Sequence, residues 1–299
     1  MRESTPPAAG STAADSPQPI NPELVVLEAL QIAHASTASQ RYAAVHAQLL
    51  KRFSQRTSPA NAAAAALQQT PGPGRLRIVC ATRRDREEFF TQTALGRSLS
   101  LHRPQGVELR LFPRNTQGLP ALYNIAIAES IDQDVTLLFI HDDIHLCDFH
   151  WADRLTSGLS VFDVVGVAGN RRRVRAQPAW LFLDEKLTPD SRDNLSGIVG
   201  HGRGLIPDGI DVFGPPGKAV KLLDGLFLAV RSATLRATSL RFDERFDFHF
   251  YDLDFCRQAE RAGVRLGTWP ISLVHESKGN FVSEAWRRGY EQYLEKWGD

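Results

Sequence analysis

The sequence predicts an α/β fold, a mainly parallel sheet with helices on both faces, together with a small N-terminal helical segment. Two observations support this prediction. From residue 75 onward, short apolar runs rich in β-branched residues alternate with segments of helical periodicity. The run VTLLFI at 135–140 is apolar throughout, which is typical of a central strand buried on both faces. Strands joined by helical crossovers tend to lie parallel in one sheet, so residues 75–299 are expected to form the main domain.

The elements of this domain follow from their local patterns. Strands are expected at 76–81, 107–112, 135–140 and 163–169, with a helix from the polar stretch after the first strand through Leu95 and another over 118–131. Residues 197–230 are rich in glycine, alternate in character, and end in a strand at 222–230. A helix near 253–262, two short strands within 264–270 and 271–275, and an amphipathic helix near 283–296 complete the domain.

The residues before this domain have a different composition. Residues 1–21 consist largely of Ser, Thr, Pro, Ala and Gly, and predict a disordered tail. Residues 22–69 predict a helical segment, because apolar side chains recur at helical spacing at Leu24, Leu27, Leu30, Tyr42, Val45, Leu49 and Phe53. Such a segment is more typical of packing, of a protein partner or of self-association than of catalysis. The stretch TPGPG at 70–74 predicts a linker.

Composition narrows the function classes. The 299 residues include 35 Lys plus Arg and 34 Asp plus Glu, for a formal net charge of +1. This balance gives no overall attraction to polyanions, so nonspecific nucleic-acid or anionic-membrane binding is not expected. The three cysteines are far apart and odd in number, which favours a reducing compartment. No apolar run reaches the roughly 18 residues of a membrane span, and the N-terminus lacks an apolar signal core. We therefore expect a soluble, cytoplasmic protein with no transmembrane segment.

The strongest local feature is the triplet His141-Asp142-Asp143, directly after the predicted central strand. Ligands of open parallel sheets bind beyond the carboxyl ends of the strands, where this triplet falls. Two adjacent carboxylates there are costly to desolvate unless a cation or hydrogen-bond donors compensate. A Mg²⁺ or Mn²⁺ ion with a diphosphate would do so. The alternative is that Asp142 and Asp143 cap a following helix.

A second pair of carboxylates, Asp252 and Asp254, begins the helix near 253–262. Alternate residues cannot share a helix face, so one carboxylate should point into a cleft while the other caps or pairs. A carboxylate in a cleft can take the proton of an acceptor hydroxyl as a general base. The alternative is two ordinary carboxylates favoured by the helix dipole.

Histidines and arginines give weaker indications. His275 ends a predicted strand, and it is a ligand candidate only if the fold brings it beside Asp143; His201 and His249 have less support. Arginines follow the first and fourth predicted strands, and guanidinium groups match phosphates. These arginines either bind phosphate or lie on the solvated surface. They are Arg83, Arg84, Arg86, Arg171, Arg172, Arg173 and Arg175.

Taken in order, these residues resemble a known family. The motifs are Thr82-Arg83, Asn115-x-x-Gly118, Tyr123-Asn124, His141-Asp142-Asp143, Leu223-Asp224-Gly225, Phe242-Asp243-Glu244, Tyr251-Asp252-x-Asp254-Phe255-Cys256 and Val274-His275. Over about 75–296 the chain resembles a glycosyltransferase of the family 2 type with the GT-A fold. The similarity is closest to the bacterial branch that carries His-x-Asp in place of Asp-x-Asp.

The resemblance implies a role for each matching position. Asp143, with His275 and His141, would hold Mn²⁺ or Mg²⁺ at the phosphates of the donor. The residues implied to contact the nucleoside are Thr82, Arg84, Asn115 and Asp142. Asp252 would be the catalytic base, although Tyr251 stands where the family has Glu. The positions implied on the acceptor side are Asp224, Gly225 and Asp254.

The activity implied is that of a metal-dependent, inverting, hexosyltransferase-type enzyme. It would move a sugar from a nucleotide-diphosphate sugar to a hydroxyl acceptor such as a glycan, a lipid-linked glycan or a protein glycan. One alternative is a noncatalytic nucleotide- or glycan-binding protein with a degenerate transferase domain. Another is a metal-dependent phosphohydrolase. In such hydrolases, however, the His-Asp pairs lie on helices, whereas here the pair follows a predicted strand. The spacing of Asp252 and Asp254 also matches a haloacid dehalogenase nucleophile motif, but that motif should end the first strand of its domain.

Overall fold

The computed structural model describes residues 75–277, 279 and 281–298. The expected tail at 1–21, the helical segment at 22–69 and the linker at 70–74 lie outside the described residues. The strands are β1 Leu76–Ala81, β2 Val107–Phe112, β3 Thr136–Ile140, β4 Ile144–Leu146, β5 Val164–Gly166, β6 Ala168–Asn170, β7 Leu195–His201, β8 Gly209–Gly214, β9 Ala219–Val220, β10 Leu222–Leu223, β11 Phe227–Arg231, β12 Leu266–Thr268 and β13 Leu273–His275. The helices are α1 Arg86–Gln92, α2 Ala94–His102, α3 Leu119–Ser130, α4 Trp151–Val161, α5 Ser232–Thr238, α6 Tyr251–Arg261 and α7 Glu284–Trp297.

The larger sheet has seven strands in the order β2-β1-β3-β11-β5-β12-β9. β2, β1, β3, β5 and β12 run in one direction, while β11 and β9 run against them, so the expectation of a mainly parallel sheet is confirmed. β3 lies inside the sheet, and its residues from Leu137 to Ile140 are fully buried, as its apolar sequence predicts. Because β1 and β3 are parallel neighbours, their carboxyl ends meet at one edge.

A second sheet of six strands, in the order β10-β6-β7-β13-β4, lies beside the first, and β8 adds to β7. The single strand expected at 163–169 is in fact two short strands, with β5 in the first sheet and β6 in the second. The strand expected at 222–230 divides in the same way, because β10 pairs with β6 while β11 pairs with β3. The turn between β10 and β11 carries Asp224 and Gly225. This division therefore places both residues where the two sheets meet.

The helix expected through Leu95 is interrupted at Thr93, which ends α1 and caps α2 by accepting a hydrogen bond from the Gly96 amide. Asp85 caps α1 in a capping box with Glu88. The alternative in which Asp142 and Asp143 cap a helix is wrong, because the element that follows them is the buried strand β4. No helix among the described residues combines the length and apolar character needed to span a bilayer.

Candidate functional site

A cleft of about 440 Å³ opens at the carboxyl end of β3. The sequence-predicted residues that line it are His141, Asp142, Asp143, Asp224, Gly225, Asp252 and His275. They come from four separate places: the end of β3, the turn between β10 and β11, the start of α6 and the end of β13. The fold therefore collects in one cavity most of the side chains that the sequence marks for chemistry.

His141, Asp143 and His275 form a cluster whose possible ligand atoms all lie within 4.8 Å of one another. The Nε2 atom of His275 is 3.2 Å from Oδ2 of Asp143. The other carboxylate oxygen, Oδ1 of Asp143, is buried without a hydrogen-bond partner. A buried carboxylate oxygen left unpaired is costly, and a cation would satisfy it. Two imidazoles and one carboxylate are a donor set suited to a divalent metal ion.

The electrostatics of this cluster keep the carboxylate ionised. Burial raises the pKa of Asp143, but the hydrogen bond and charge of His275 outweigh it and hold that pKa at about 2. Burial lowers the pKa of His275, yet the contact with Asp143 leaves it raised overall. For His141, burial is the larger effect and its pKa is lowered despite the nearby Asp143. A negative carboxylate with a neutral His141 is the state that a cation needs.

Asp142 points to a different set of partners. Its Oδ2 accepts a hydrogen bond of 2.6 Å from the Thr82 hydroxyl, at the end of the neighbouring strand β1. The backbone amides of Arg84 and Asn115 bond to the Thr82 hydroxyl and carbonyl at 3.2 and 2.8 Å. The Asn115 side chain is engaged with the Gln117 backbone, and Arg84 is exposed. Thr82, Arg84 and Asn115 thus lie together beside Asp142, although the cavity is not lined by them.

Asp252 lies in the first turn of α6 and accepts hydrogen bonds from the Gly225 and Leu253 amides at 3.0 and 2.9 Å. Burial, and then the negative charge of Asp224, raise the pKa of Asp252 to about 7. Asp224 itself accepts from the Trp180 indole at 2.9 Å and from the Leu226 amide at 3.0 Å. A carboxyl group with this pKa can exchange a proton near neutral pH.

Asp254 is not on the acceptor side of the cleft, contrary to its expected placement there. It is fully buried, and its Oδ1 lies 2.6 Å from the Lys296 ammonium and 2.9 Å from the Trp297 indole nitrogen. Its Oδ2 accepts from Gln258 at 2.7 Å. The reason is helical geometry: two residues apart on α6, Asp252 and Asp254 face different neighbours. Asp254 therefore joins α6 to α7.

The turn before α6 is held by the same helix α7. Phe250, which precedes α6, has a left-handed backbone with φ of 67°, an uncommon conformation for a residue with a bulky side chain. Its ring packs on those of Trp286, Tyr290 and Tyr293 at centroid distances of 5.4, 5.6 and 5.5 Å. A Cβ at Gly289 would come within 2.9 Å of the Phe250 ring, so only glycine allows this close packing. These contacts hold the turn that presents Asp252.

His201, which the sequence supports less than His275, lines the cleft. It is paired in register with His275 on the neighbouring parallel strand, and the two rings are 6.2 Å apart. Its Nε2 atom is 3.1 Å from a carboxylate oxygen of Asp211 on β8. Alternation within β7 would place it on the face of Val199, but only the pairing with β13 brings it beside His275. His249, which also had less support, lines the cleft, as does Trp180, which the sequence does not indicate.

Three of the four arginines after the fourth predicted strand have partners within the protein. Arg172 forms an ion pair of 2.5 Å with the buried Asp190, and Arg173 lies 3.7 Å from Glu260. Arg171 donates to the Asp193 carbonyl at 3.0 Å. The cleft is not lined by any of these three residues. Their contacts favour a structural role for this cluster over the phosphate binding considered from the sequence.

Comparison with known proteins places the fold. No family model and no curated protein matches the sequence. The structure is similar to that of GalNAc-T7 with UDP, GalNAc and Mn²⁺, with a TM-score of 0.50 and 11% identity over 75% of this chain. This chain spans 48% of the length of that structure. Weaker likenesses, both with a TM-score of 0.37, are to TarS of S. aureus (12% identity; 69% of this chain, 36% of that one) and to a Drosophila β1,4-galactosyltransferase 7 mutant (13%; 65% of each). The fold of the described domain is thus that of GT-A glycosyltransferases, as the sequence resemblance implied.

Proposed function

We propose that this protein is a metal-dependent, inverting glycosyltransferase of the hexosyltransferase type. It would move a sugar from a nucleotide-diphosphate sugar to a hydroxyl acceptor on a glycan, a lipid-linked glycan or a protein glycan. The main support is that a cluster suited to a cation and a carboxyl group with a pKa of about 7 line the same cleft. The cluster could hold the diphosphate through a bound cation, and the Asp252 carboxylate could take the proton of the acceptor hydroxyl.

The metal would be held by His141, Asp143 and His275. Two imidazoles favour a transition-metal ion over Mg²⁺, which prefers oxygen ligands, so we propose that the bound ion is Mn²⁺. When bound, the ion would offset the negative charge of the departing nucleoside diphosphate. Asp142, supported by Thr82 and the adjoining loop with Arg84 and Asn115, would contact the ribose or the base.

Asp252 would act on the acceptor. Its ionised form can take the proton of the acceptor hydroxyl while the hydroxyl oxygen attacks the anomeric carbon. The bond from that carbon to the diphosphate oxygen breaks as the new glycosidic bond forms. Such a single displacement inverts the anomeric configuration. Asp224 and Gly225 would form the wall beside the acceptor, since the Gly225 amide also fixes the Asp252 carboxylate.

Binding and turnover of nucleotides test this proposal. We expect one member of a panel of nucleoside diphosphates to bind by calorimetry with Mn²⁺, and not with EDTA. Asp143→Ala should abolish that metal-dependent binding. Asp252→Asn should retain it and lose transfer. Glu284→Ala, at an exposed position on α7, is the control and should behave as wild type.

The outcomes separate the alternatives. Release of the nucleoside diphosphate from its sugar that needs an acceptor supports transfer, whereas equal release without one would indicate a hydrolase. Binding of nucleotide with no turnover for any acceptor in a broad panel would favour the noncatalytic protein. If no nucleoside diphosphate binds with Mn²⁺, the proposal is wrong. Wild-type transfer by Asp252→Asn would refute the role of the base alone.

A further inference from the structure

We propose that Tyr251 is a positioning residue that fixes the tautomer of His141, so that Nε2 carries the proton and Nδ1 is the nitrogen that binds the metal ion. The inference deepens the proposed function, and rests on it only in taking the ion to be held by His141, Asp143 and His275. Tyr251 itself touches neither ion nor substrate in this scheme. It acts through a hydrogen bond to the imidazole.

The direction of two hydrogen bonds leads to this assignment. The Tyr251 hydroxyl is 2.9 Å from the Gly225 carbonyl oxygen and 2.9 Å from Nε2 of His141. A carbonyl oxygen can only accept, so the single hydroxyl proton of Tyr251 is donated to Gly225. The hydroxyl then presents a lone pair to His141, and Nε2 must be the donor. The reverse arrangement would leave two oxygen acceptors facing each other at 2.9 Å with no proton between them.

The surroundings give these bonds little freedom. Tyr251 is only 2% exposed, and its ring packs against those of Tyr123 and Phe242. A Cβ on Gly225 would come within 2.5 Å of the Tyr251 hydroxyl oxygen, so the hydroxyl and this turn are in direct contact. The His141 ring also stacks on the Phe248 ring at a centroid distance of 5.5 Å. The imidazole is therefore held by a hydrogen bond and a ring contact.

The chemical consequence follows from the imidazole itself. A metal-bound histidine is neutral and uses one nitrogen lone pair, while the other nitrogen carries a proton. With the proton on Nε2, only Nδ1 of His141 has a lone pair to offer. Partners that bond the second nitrogen of a metal-binding histidine set its tautomer and raise metal affinity, with losses of about 10- to 100-fold when they are removed.

The test compares Tyr251→Phe with the wild-type protein. The variant keeps the buried ring and loses only the hydroxyl. In the metal-free protein, long-range ¹H–¹⁵N NMR of the histidine rings should show wild-type His141 protonated at Nε2 alone, with His141→Gln identifying the signal. Tyr251→Phe should no longer hold this single tautomer, and its Kd for Mn²⁺ alone should rise about tenfold by calorimetry. Tyr290→Phe, whose hydroxyl bonds to the Ala176 carbonyl, is the matched control and should change neither result.

Two results would overturn the inference. One is a wild-type His141 protonated at Nδ1. The other is a folded Tyr251→Phe, checked by circular dichroism, that binds Mn²⁺ as tightly as wild type. If the variant does not fold, the wild-type tautomer still decides. Neither measurement uses a nucleotide sugar, so failure of the proposed transferase activity would show in the nucleotide assays and leave these results unchanged.

Discussion

The pKa of Asp252 leads to a prediction that can be followed from structure to rate. Its pKa of about 7 means that about one tenth of the carboxyl groups are ionised at pH 6 and about nine tenths at pH 8. Since a base must be ionised to accept a proton, transfer should rise about tenfold between these pH values. Asp224→Asn removes the second cause of the raised pKa, while burial, the larger cause, persists. We expect the pKa of Asp252 to fall to about 6 in this variant, which would increase transfer at pH 6 about fivefold.

Carboxyl ¹³C NMR of aspartate-labelled protein measures this pKa directly, and the signal absent from Asp252→Asn identifies the residue. Nucleoside diphosphate release with acceptor, measured across pH, gives the matching rate profile. The pH dependence of stability is an independent test. The Asp252 carboxyl ionises near pH 4 in the unfolded protein and near pH 7 in the folded one, so the folded state loses stability as the pH rises through this window. Asp252→Asn should therefore raise Tm at pH 8 but not below pH 4. A carboxyl titrating near 4 would refute the argument, as would an Asp224→Asn variant with an unchanged profile.

Three further predictions concern the surroundings of the cleft. Gly225→Ala should weaken Mn²⁺ binding and transfer about tenfold, because the new Cβ would lie 2.5 Å from the Tyr251 hydroxyl oxygen. Gly209→Ala is the control: its Cβ would meet nothing within 4 Å, and it should match wild type in calorimetry. Equal effects of the two substitutions would contradict this prediction. Asp254→Ala should lower the free energy of unfolding in urea by about 3 kcal/mol, because the Trp297 indole and the Gln258 amide lose their acceptor, while Lys296 keeps its pair with Asp243. Glu284→Ala, in an exposed pair, should lower it by less than about 0.5 kcal/mol, and similar losses in the two variants would contradict a stabilising role for Asp254. Thr82→Val should raise the pKa of Asp142, because it removes the hydrogen bond from the Thr82 hydroxyl. Calorimetry should show nucleotide binding about fivefold weaker and Mn²⁺ binding unchanged. Unaltered nucleotide affinity would refute a contact between Asp142 and the nucleotide.

The parallel half of the main sheet was predictable because its signals are local. The runs at 76–81 and 107–112 form strands with those same bounds, and the apolar run before His141 is a buried central strand. The second sheet was not predictable in this way. Residues 163–169 form one apolar run, and its division between β5 and β6 depends on strands that are distant in sequence. Local pattern indicates that a strand forms, but only tertiary pairing decides which sheet it joins.

The same distinction applies to the site. Thr82 and Asp142 could be brought together from sequence because parallel neighbours end at one edge of a sheet. The spacing of Asp252 and Asp254 predicts that one faces a cleft and the other pairs, but the acceptor-side placement of Asp254 was wrong because its partners lie on α7. His201 reaches the cleft through the pairing of β7 with β13, which joins residues far apart in the chain. No local pattern contains that information.

The left-handed turn at Phe250 has a consequence for how the protein is made. A bulky residue in this conformation costs on the order of 1–3 kcal/mol, which the rings of α7 must offset. Helix α7 is synthesised more than thirty residues after Phe250. A nascent chain released from the ribosome up to β13 would already contain His141, Asp143 and His275, but not the contacts that hold the turn before Asp252. We therefore expect ion binding to be acquired before catalytic competence during synthesis.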